Sequence, residues 1–121
     1  MVVGTPLTSV AANGDAKRGE RVFQFCFACH STDPNEAAKL QGPNLARIVG
    51  RRAGVVAAFE YSDAMRAKSA EGLVWTIEML DRYVLEPEAM VPGGRMSYPG
   101  MKDAADRADL IAYLMAKSQA Q

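Results

Sequence analysis

The sequence predicts an all-α domain with about four to five helices joined by long loops. Apolar residues recur at helical spacing in several segments of the 121-residue chain, and no segment shows the apolar–polar alternation of a convincing strand. Prolines and glycines separate these segments. The length suits one compact domain, and the 49% hydrophobic and 23% charged residues are those of an ordinary globular protein.

The first predicted helix spans residues 16–28 and follows the turn residues Asn13 and Gly14. Asp15 stands where its carboxylate can accept a backbone N–H as an N-cap. Small and apolar side chains recur at helical spacing behind this cap, which is the pattern of a helix with one buried face.

Residues 1–14 are predicted to lie outside the domain. They are small and apolar, but no basic segment precedes them, so the pattern of a complete secretory signal is missing. We interpret them as a flexible lead-in or as the remnant of a signal or linker, and we assign residues 15–121 to the domain.

A long loop is predicted between the first two helices, because five glycines and prolines interrupt residues 31–58. Nearly thirty residues without periodicity are unusual in a small domain unless the loop wraps something. The aromatic residues, one Trp, four Tyr and four Phe, are few for a core. A large apolar prosthetic group would account for both features.

Three further helices complete the prediction. Ser62 caps a short helix that runs to about Lys68, and the last helix covers residues 103–117.

The helix between them is predicted from Trp75, Met79 and Tyr83, which are four residues apart and so share one helical face. It ends before Pro87, because proline disfavours a helical conformation of the preceding residue.

The charge and hydropathy patterns exclude two classes of function. The 14 basic and 14 acidic side chains cancel, so the chain lacks the electrostatic footprint of a protein that binds nucleic acid or an anionic membrane. Its longest apolar run, residues 110–116, has seven residues, whereas a membrane-spanning helix needs about 20. We therefore expect no nucleic-acid partner and no stable membrane insertion. The small size and the absence of an apolar excess make a monomer the expected state.

The segment Cys26-Phe27-Ala28-Cys29-His30 carries the decisive motif. C-x-x-C-H is the attachment signature of a c-type haem. The two thiols add across the vinyl groups of the porphyrin, and the adjacent histidine becomes the proximal ligand of the iron. We therefore predict one haem c, attached covalently through Cys26 and Cys29 and ligated by His30.

Three competing roles for the two cysteines fit the sequence less well. A thioredoxin-like redox pair opens a helix after a strand, whereas this pair closes a predicted helix. A zinc site needs further ligands, but the chain has only two cysteines and one histidine. A disulfide between cysteines three positions apart would close a tiny loop and stabilise the fold little.

The chain has no second histidine for the other axial position of the iron, so a methionine thioether is the natural ligand. Methionine is more often a filler of apolar cores. Met96 differs because it lies in an irregular segment, between Pro92-Gly93-Gly94 and Pro99-Gly100. Position alone favours Met96 and leaves Met90 and Met101 as alternatives.

From about residue 15 to 117 the chain resembles the class I cytochromes c, in particular bacterial cytochrome c2 and mitochondrial cytochrome c. The motifs that carry this resemblance appear in order: Gly19 and Phe23, Cys26 to His30, Gly42-Pro43-Asn44-Leu45, Gly50-Arg51, Tyr61-Ser62, Gly72-Leu73-Val74-Trp75, Tyr83, Pro92-Gly93-Gly94-Arg95-Met96, and Arg107 to Leu114. So many ordered matches are far more specific than the attachment motif alone. The resemblance implies the small cytochrome c fold, with long loops wrapped around one covalently bound haem.

The resemblance assigns residues to the two faces of the haem. In that family the methionine of the Pro-Gly-x-x-Met segment is the distal ligand, which makes His30 and Met96 the expected metal ligands. By the same resemblance, the carbonyl of Pro43 accepts a hydrogen bond from His30 and fixes its tautomer and ring plane. Tyr83 is expected near the sulfur of Met96, where it tunes the ligand through hydrogen bonds.

Three further residues are expected, by resemblance, to bind a haem propionate. The hydroxyl of Tyr61 and the indole N–H of Trp75 would donate hydrogen bonds to it, and Arg51 would compensate its charge. Such partners matter because an unpaired buried charge is costly.

The resemblance implies a one-electron carrier of a respiratory or photosynthetic chain and not an enzyme, because two protein ligands leave the iron no vacancy for a substrate. The expected donor is a cytochrome bc1-type complex or a dehydrogenase, and the expected acceptor is a terminal oxidase or a reaction centre. The expected location is the bacterial periplasm, with the mitochondrial intermembrane space as the alternative.

Two other functions stay open. The chain could be an electron-transfer module of a larger or membrane-anchored protein. It could also be a haem enzyme or a ligand-binding cytochrome, if the distal methionine does not bind.

The chain departs from the family around the expected exposed edge of the haem, where many members carry a ring of lysines. The corresponding positions here are Phe25, Leu40, Glu88 and Ala89, with Arg95 and Lys102 retained. At a net charge of zero, we expect weaker electrostatic steering and more hydrophobic docking to redox partners.

Overall fold

The computed structural model describes residues 14–26, 29–36 and 40–119, and this part of the chain contains five α-helices and no strand. The elements are α1 (Ala16–Val22), a 3₁₀-helix (Phe23–Phe25), α2 (Asp63–Ala70), α3 (Ile77–Leu85), α4 (Pro87–Met90) and α5 (Ala104–Gln119). The predicted all-α class and helix number are confirmed.

The first helix is shorter than predicted, because its α-helical part ends at Val22. Its predicted cap is present: the carboxylate of Asp15 accepts the N–H of Arg18 at 3.0 Å. Behind α1 the chain tightens into the 3₁₀-helix, and the N–H of Cys26 donates to the carbonyl of Phe23 at 2.7 Å. The tighter turn leads the chain out of the helix as the attachment motif begins.

Of the predicted lead-in, residues 1–14, all but Gly14 lie outside the described residues, so this assignment stays a prediction. Residues 27 and 28 of the predicted first helix also lie outside them.

Trp75 lies before the helix to which its spacing assigns it. The hydroxyl of Thr76 caps α3, and this residue is extended, with φ −71° and ψ 169°. The backbone of Trp75 pairs instead with the long loop: its N–H donates to Arg51 and its carbonyl accepts from Gly50, both at 2.8 Å. The predicted helix therefore begins two residues too early.

The end of α3 agrees with the prediction, since the helix stops at Leu85. Pro87, however, also opens α4, which was not predicted. Proline suits a first helical turn, because its φ is already helical and no N–H is needed there.

The remaining elements agree with the prediction. Ser62 caps α2 by accepting the N–H of Met65 at 3.0 Å, and α5 begins one residue later than the predicted last helix and ends two residues beyond it. The long loop contains no helix in residues 31–36 and 40–58. Within the described ranges, no helix combines the length and hydropathy needed to cross a membrane.

The core is built around the crossing of α1 and α5. Gly19 permits the close approach, because a Cβ on it would collide with the carbonyl oxygen of Asp109. Phe23 packs on Tyr113 with ring centroids 5.4 Å apart. Since the attachment motif directly follows the 3₁₀-helix that Phe23 opens, this crossing positions the motif relative to the core.

Candidate haem site

His30 is oriented by the loop that follows it. Its Nδ1 lies 2.8 Å from the carbonyl oxygen of Pro43, and a carbonyl can only accept, so Nδ1 carries the hydrogen and Nε2 the lone pair. Within the described residues, Nε2 has no hydrogen-bond partner. The predicted contact with Pro43 is therefore present, and it leaves Nε2 available to a metal.

The surroundings of His30 favour the neutral form of its imidazole. Burial lowers its pKa, the hydrogen bond to Pro43 opposes this, and the positive charge of Arg51 lowers the pKa further. A neutral imidazole is the form that binds a metal ion.

Gly42 lets the backbone pass against the ring of His30. A Cβ on Gly42 would lie 2.6 Å from Nδ1 and closer still to Cε1. The N–H of Gly42 donates to the carbonyl of Cys29 at 2.7 Å, which ties the loop back to the attachment motif. The prediction does not name Gly42 as a site residue, although the Gly-Pro pair after the motif could have indicated it.

The two cysteines are half-buried free thiols, so both can form thioether bonds. Burial raises the pKa of Cys26 to about 11, and the charge of Cys29 adds to the effect. Redox-active C-x-x-C pairs depend on a lowered thiol pKa, which is the opposite environment. No group of three or more His, Cys, Asp or Glu in the described ranges could hold a metal ion by itself.

Arg51 is a half-buried cation without a carboxylate partner among the described residues. Its guanidinium donates to the carbonyls of Asn44 and Ala46, at 2.9 and 3.0 Å. Burial lowers its pKa, because the charged form loses solvation. A propionate carboxylate would supply the missing counter-charge.

Among the described residues, Tyr61 and Trp75 each have a hydrogen-bond donor in the interior that no acceptor uses. Tyr61 is 9% exposed, and its hydroxyl oxygen accepts the N–H of Val56 at 3.0 Å, which leaves the hydroxyl hydrogen free to donate. Trp75 is 6% exposed, and its indole N–H has no acceptor in the part of the chain that is described. A buried N–H without a partner is destabilising by about 1–3 kcal/mol, so these donors fit a cofactor that brings acceptors.

Tyr83 packs on Trp75 with ring centroids 5.0 Å apart. Burial raises the pKa of Tyr83 to about 12, and the negative charge of Glu88 adds to this. The hydroxyl therefore stays protonated and is available as a hydrogen-bond donor.

Met96 is the one methionine of the described residues that does not pack against the core cluster. Met101 is buried in that cluster, and the others pack against it: Met65, Met79, Met90 and Met115. Met96 is half-buried in the irregular segment between α4 and α5. It forms no hydrogen bond with the other predicted site residues in the described structure.

The fold and these residues define a small helical protein built to hold one covalently attached haem. A family model described as cytochrome c matches residues 16–118.

Individual relatives agree with this match. The chain is 43% identical over 102 residues to cytochrome c 2.1 of Caenorhabditis briggsae, covering 84% of this chain and 87% of the relative. It is 46% identical over 102 residues to the c-type cytochrome cyt cy of Rhodobacter capsulatus, covering 84% of this chain but 48% of that protein. The solved structure of cytochrome c2 from Rhodospirillum centenum superimposes with a TM-score of 0.79 at 32% identity, covering 85% of this chain and 98% of that one.

The chain belongs to the cytochrome c family. It carries one haem c, attached covalently through Cys26 and Cys29, and acts as an electron carrier.

Proposed function

We propose that the protein moves single electrons between protein redox partners, with the haem iron held between His30 and Met96. The bound haem supplies the one-electron couple. The observation that carries the proposal is the pair of unused ligand atoms: Nε2 of His30 has no hydrogen-bond partner in the described structure, and Met96 stands outside the core packing. Two protein ligands would leave the iron no position for a substrate, which favours a carrier over an enzyme.

The alternative distal ligands have other contacts. Met101 is 6% exposed inside the core cluster, and its backbone N–H donates to Val84 at 2.8 Å. Met90 packs against the same cluster, beside a cavity of about 420 Å³ that it lines with Lys68 and Arg82. Both side chains thus have a packing role that Met96 lacks.

The supporting residues hold the cofactor in the same proposal. Pro43 orients the imidazole of His30, and Tyr61 and Trp75 donate to a propionate. Arg51 neutralises that carboxylate. A buried carboxylate is tolerated only with such partners, because its desolvation is costly.

We propose that Tyr83 lies near the sulfur of Met96, as the resemblance to the family implies. Its raised pKa keeps the phenol protonated, and a donated hydrogen bond there would adjust how strongly the thioether binds.

We propose docking to redox partners beside the attachment motif. Phe25 directly precedes Cys26 and is 71% exposed, although the nearby Phe23 is buried. A cytochrome bc1-type complex or a dehydrogenase is the proposed donor, and a terminal oxidase or a reaction centre the acceptor. The proposed location is the periplasm, with the mitochondrial intermembrane space as the alternative.

A second candidate function is an electron-transfer module of a larger or membrane-anchored protein. The similarity to cyt cy of Rhodobacter capsulatus favours it, because the matched region covers 48% of that protein. The length of the natural polypeptide in its own cell, measured by immunoblot, separates this candidate from a free carrier.

The distal ligand is tested with three matched variants of the holoprotein: Met96→Leu, Met90→Leu and Met101→Leu. Leucine keeps the volume and removes the sulfur. We expect only Met96→Leu to lose the sulfur-to-iron absorption band of the ferric protein, to lower the midpoint potential and to bind carbon monoxide readily in the ferrous form. An unchanged band and potential in Met96→Leu, with loss in one of the other two, would contradict the assignment.

A further inference from the structure

A carboxylate of α4 reaches the loop that carries Met96. Oε2 of Glu88 accepts the N–H of Gly93 at 3.0 Å. Glu88 stands between two buried residues of this element, Pro87 at its start and Val91 at its C-cap. The Glu88 carboxylate therefore belongs to a helix whose position is fixed by the burial of Pro87 and Val91.

Among the described residues, few other hydrogen bonds restrain the loop before Met96. The N–H of Gly94 donates to the carbonyl of Val91 at 3.0 Å, and the guanidinium of Arg95 donates to the carbonyl of Glu60 at 2.9 Å. After Met96, the next backbone hydrogen bond of the described loop is that of Met101.

We infer that Glu88 is a positioning residue that holds the Met96 loop closed on the haem, through its hydrogen bond from the N–H of Gly93. The inference rests on the proposed function, because it requires Met96 to be the distal ligand.

The physical reason is the competition between a bound thioether and an open loop. With Met96 as the distal ligand, opening of the loop would withdraw its sulfur, and a small external ligand could then bind in its place. A hydrogen bond that exists only in the closed loop shifts this equilibrium towards the closed form. Removing the bond should therefore raise the apparent affinity for an external ligand.

Glu88 contributes a charge as well as an acceptor, and its charge is felt at Tyr83, whose pKa it raises. The two contributions can be separated by substitution. Glu88→Gln keeps a carbonyl oxygen that can accept from Gly93 and removes the charge, whereas Glu88→Ala removes both.

The test is a titration of the ferric holoprotein with imidazole, followed by the loss of the sulfur-to-iron band. We expect Glu88→Ala to bind imidazole about fivefold more tightly than the wild type, the factor that corresponds to one ordinary hydrogen bond. Glu88→Gln should stay within about twofold of the wild type. Glu86→Ala is the matched control, because this nearby carboxylate has no bond to residues 91–96 in the described structure and lies instead 3.7 Å from Lys102, at the far end of the loop.

Two results would overturn the inference: an imidazole affinity of Glu88→Ala equal to that of the wild type, or an equal rise in Glu88→Gln and Glu88→Ala, which would assign the effect to charge. Either result counts only if the wild type has the sulfur-to-iron band and Met96→Leu lacks it, because the band must report the Met96 ligand. If Met96→Leu keeps the band, the proposed ligation fails instead. The band of each variant before titration shows that it is folded with the ligand bound.

Discussion

At the scale of single residues, the geometry of His30 depends on backbone groups. The carbonyl of Pro43 fixes its tautomer, and the missing side chain of Gly42 leaves room for its ring. The Pro43 contact was predicted by resemblance. The close approach of Gly42 to the ring of His30 was not predicted, because the spacing of residues along the chain does not show which backbone segment packs against which side chain.

Gly42→Ala is predicted to displace the imidazole of His30. The added Cβ would overlap ring atoms, so we expect a loss of about 2 kcal/mol in the free energy of unfolding and a changed midpoint potential. Denaturant unfolding and potentiometry of the holoprotein measure both. Gly50→Ala is the control for the potential alone: its Cβ meets nothing within 4 Å, although its φ of +87° makes alanine strained there and lowers stability by itself. An equal change of potential in Gly50→Ala would argue against a steric effect on His30.

Arg51→Gln is predicted to lower the midpoint potential. In the proposed site, the half-buried guanidinium would stabilise the reduced state, because that state carries one positive charge less at the iron. We expect a decrease of up to about 60 mV, which is a tenfold change in a one-electron equilibrium. Arg52→Gln, a change of the neighbouring exposed arginine, should shift the potential much less. Equal shifts of the midpoint potential in both variants would contradict the proposal that Arg51 acts directly on the haem.

At the scale of elements, a buried carboxylate connects the start of α1 to α5. The side chain of Asp109 is 7% exposed. It accepts the N–H of Asp15 at 2.8 Å and Nε of Arg18 at 3.0 Å. The hydrogen bond from Arg18 lowers the pKa of Asp109, although burial opposes it. The Asp109 carboxylate thus links α5 to α1, the helix that precedes the attachment motif.

Asp109→Asn is predicted to reduce stability near neutral pH by about 2 kcal/mol, the scale of a hydrogen bond to a charged group. Because the folded-state pKa is lowered, the stabilisation is complete above the unfolded-state value of about 3.9 and disappears as the pH falls through the folded-state value. Urea unfolding of wild type and variant between pH 7 and about 2.5 checks this. A difference that stays constant over that whole range would contradict the ionic origin.

The α3 region shows why elements are harder to predict at their ends than in their middle. Trp75, Met79 and Tyr83 have helical spacing, yet the helix begins only after the extended Thr76, so Trp75 lies outside it. The ring of Trp75 still packs on Tyr83, so the apolar stripe continues beyond the helix. Periodicity detects the packed face, whereas the cap decides where the helix begins.

At the scale of the whole molecule, charge governs how partners are found. The chain has equal numbers of acidic and basic side chains, and the aromatic ring most exposed beside the attachment motif, among the described residues, is that of Phe25. Long-range steering scales with complementary charge and is screened by salt. Association with partners should therefore depend mainly on short-range apolar contact.

The rate of reduction by a cytochrome bc1-type complex is predicted to change little with ionic strength. Stopped-flow kinetics from about 10 to 300 mM salt measure the slope. Phe25→Lys should give a steeper slope with an acidic partner, and Phe25→Ala should lower the rate at all salt concentrations. A steep slope for the wild type would refute the expectation of weak steering.

The sequence by itself determined the helical class, the caps at Asp15 and Ser62, and the covalent haem attached through Cys26 and Cys29. These follow from periodicity, local capping and a contiguous motif, each of which acts over a few neighbouring residues. Only the tertiary structure decided which groups stay unpaired in the described interior, such as the indole N–H of Trp75. Burial and pairing depend on contacts between residues far apart in the chain, and local sequence carries no direct record of them.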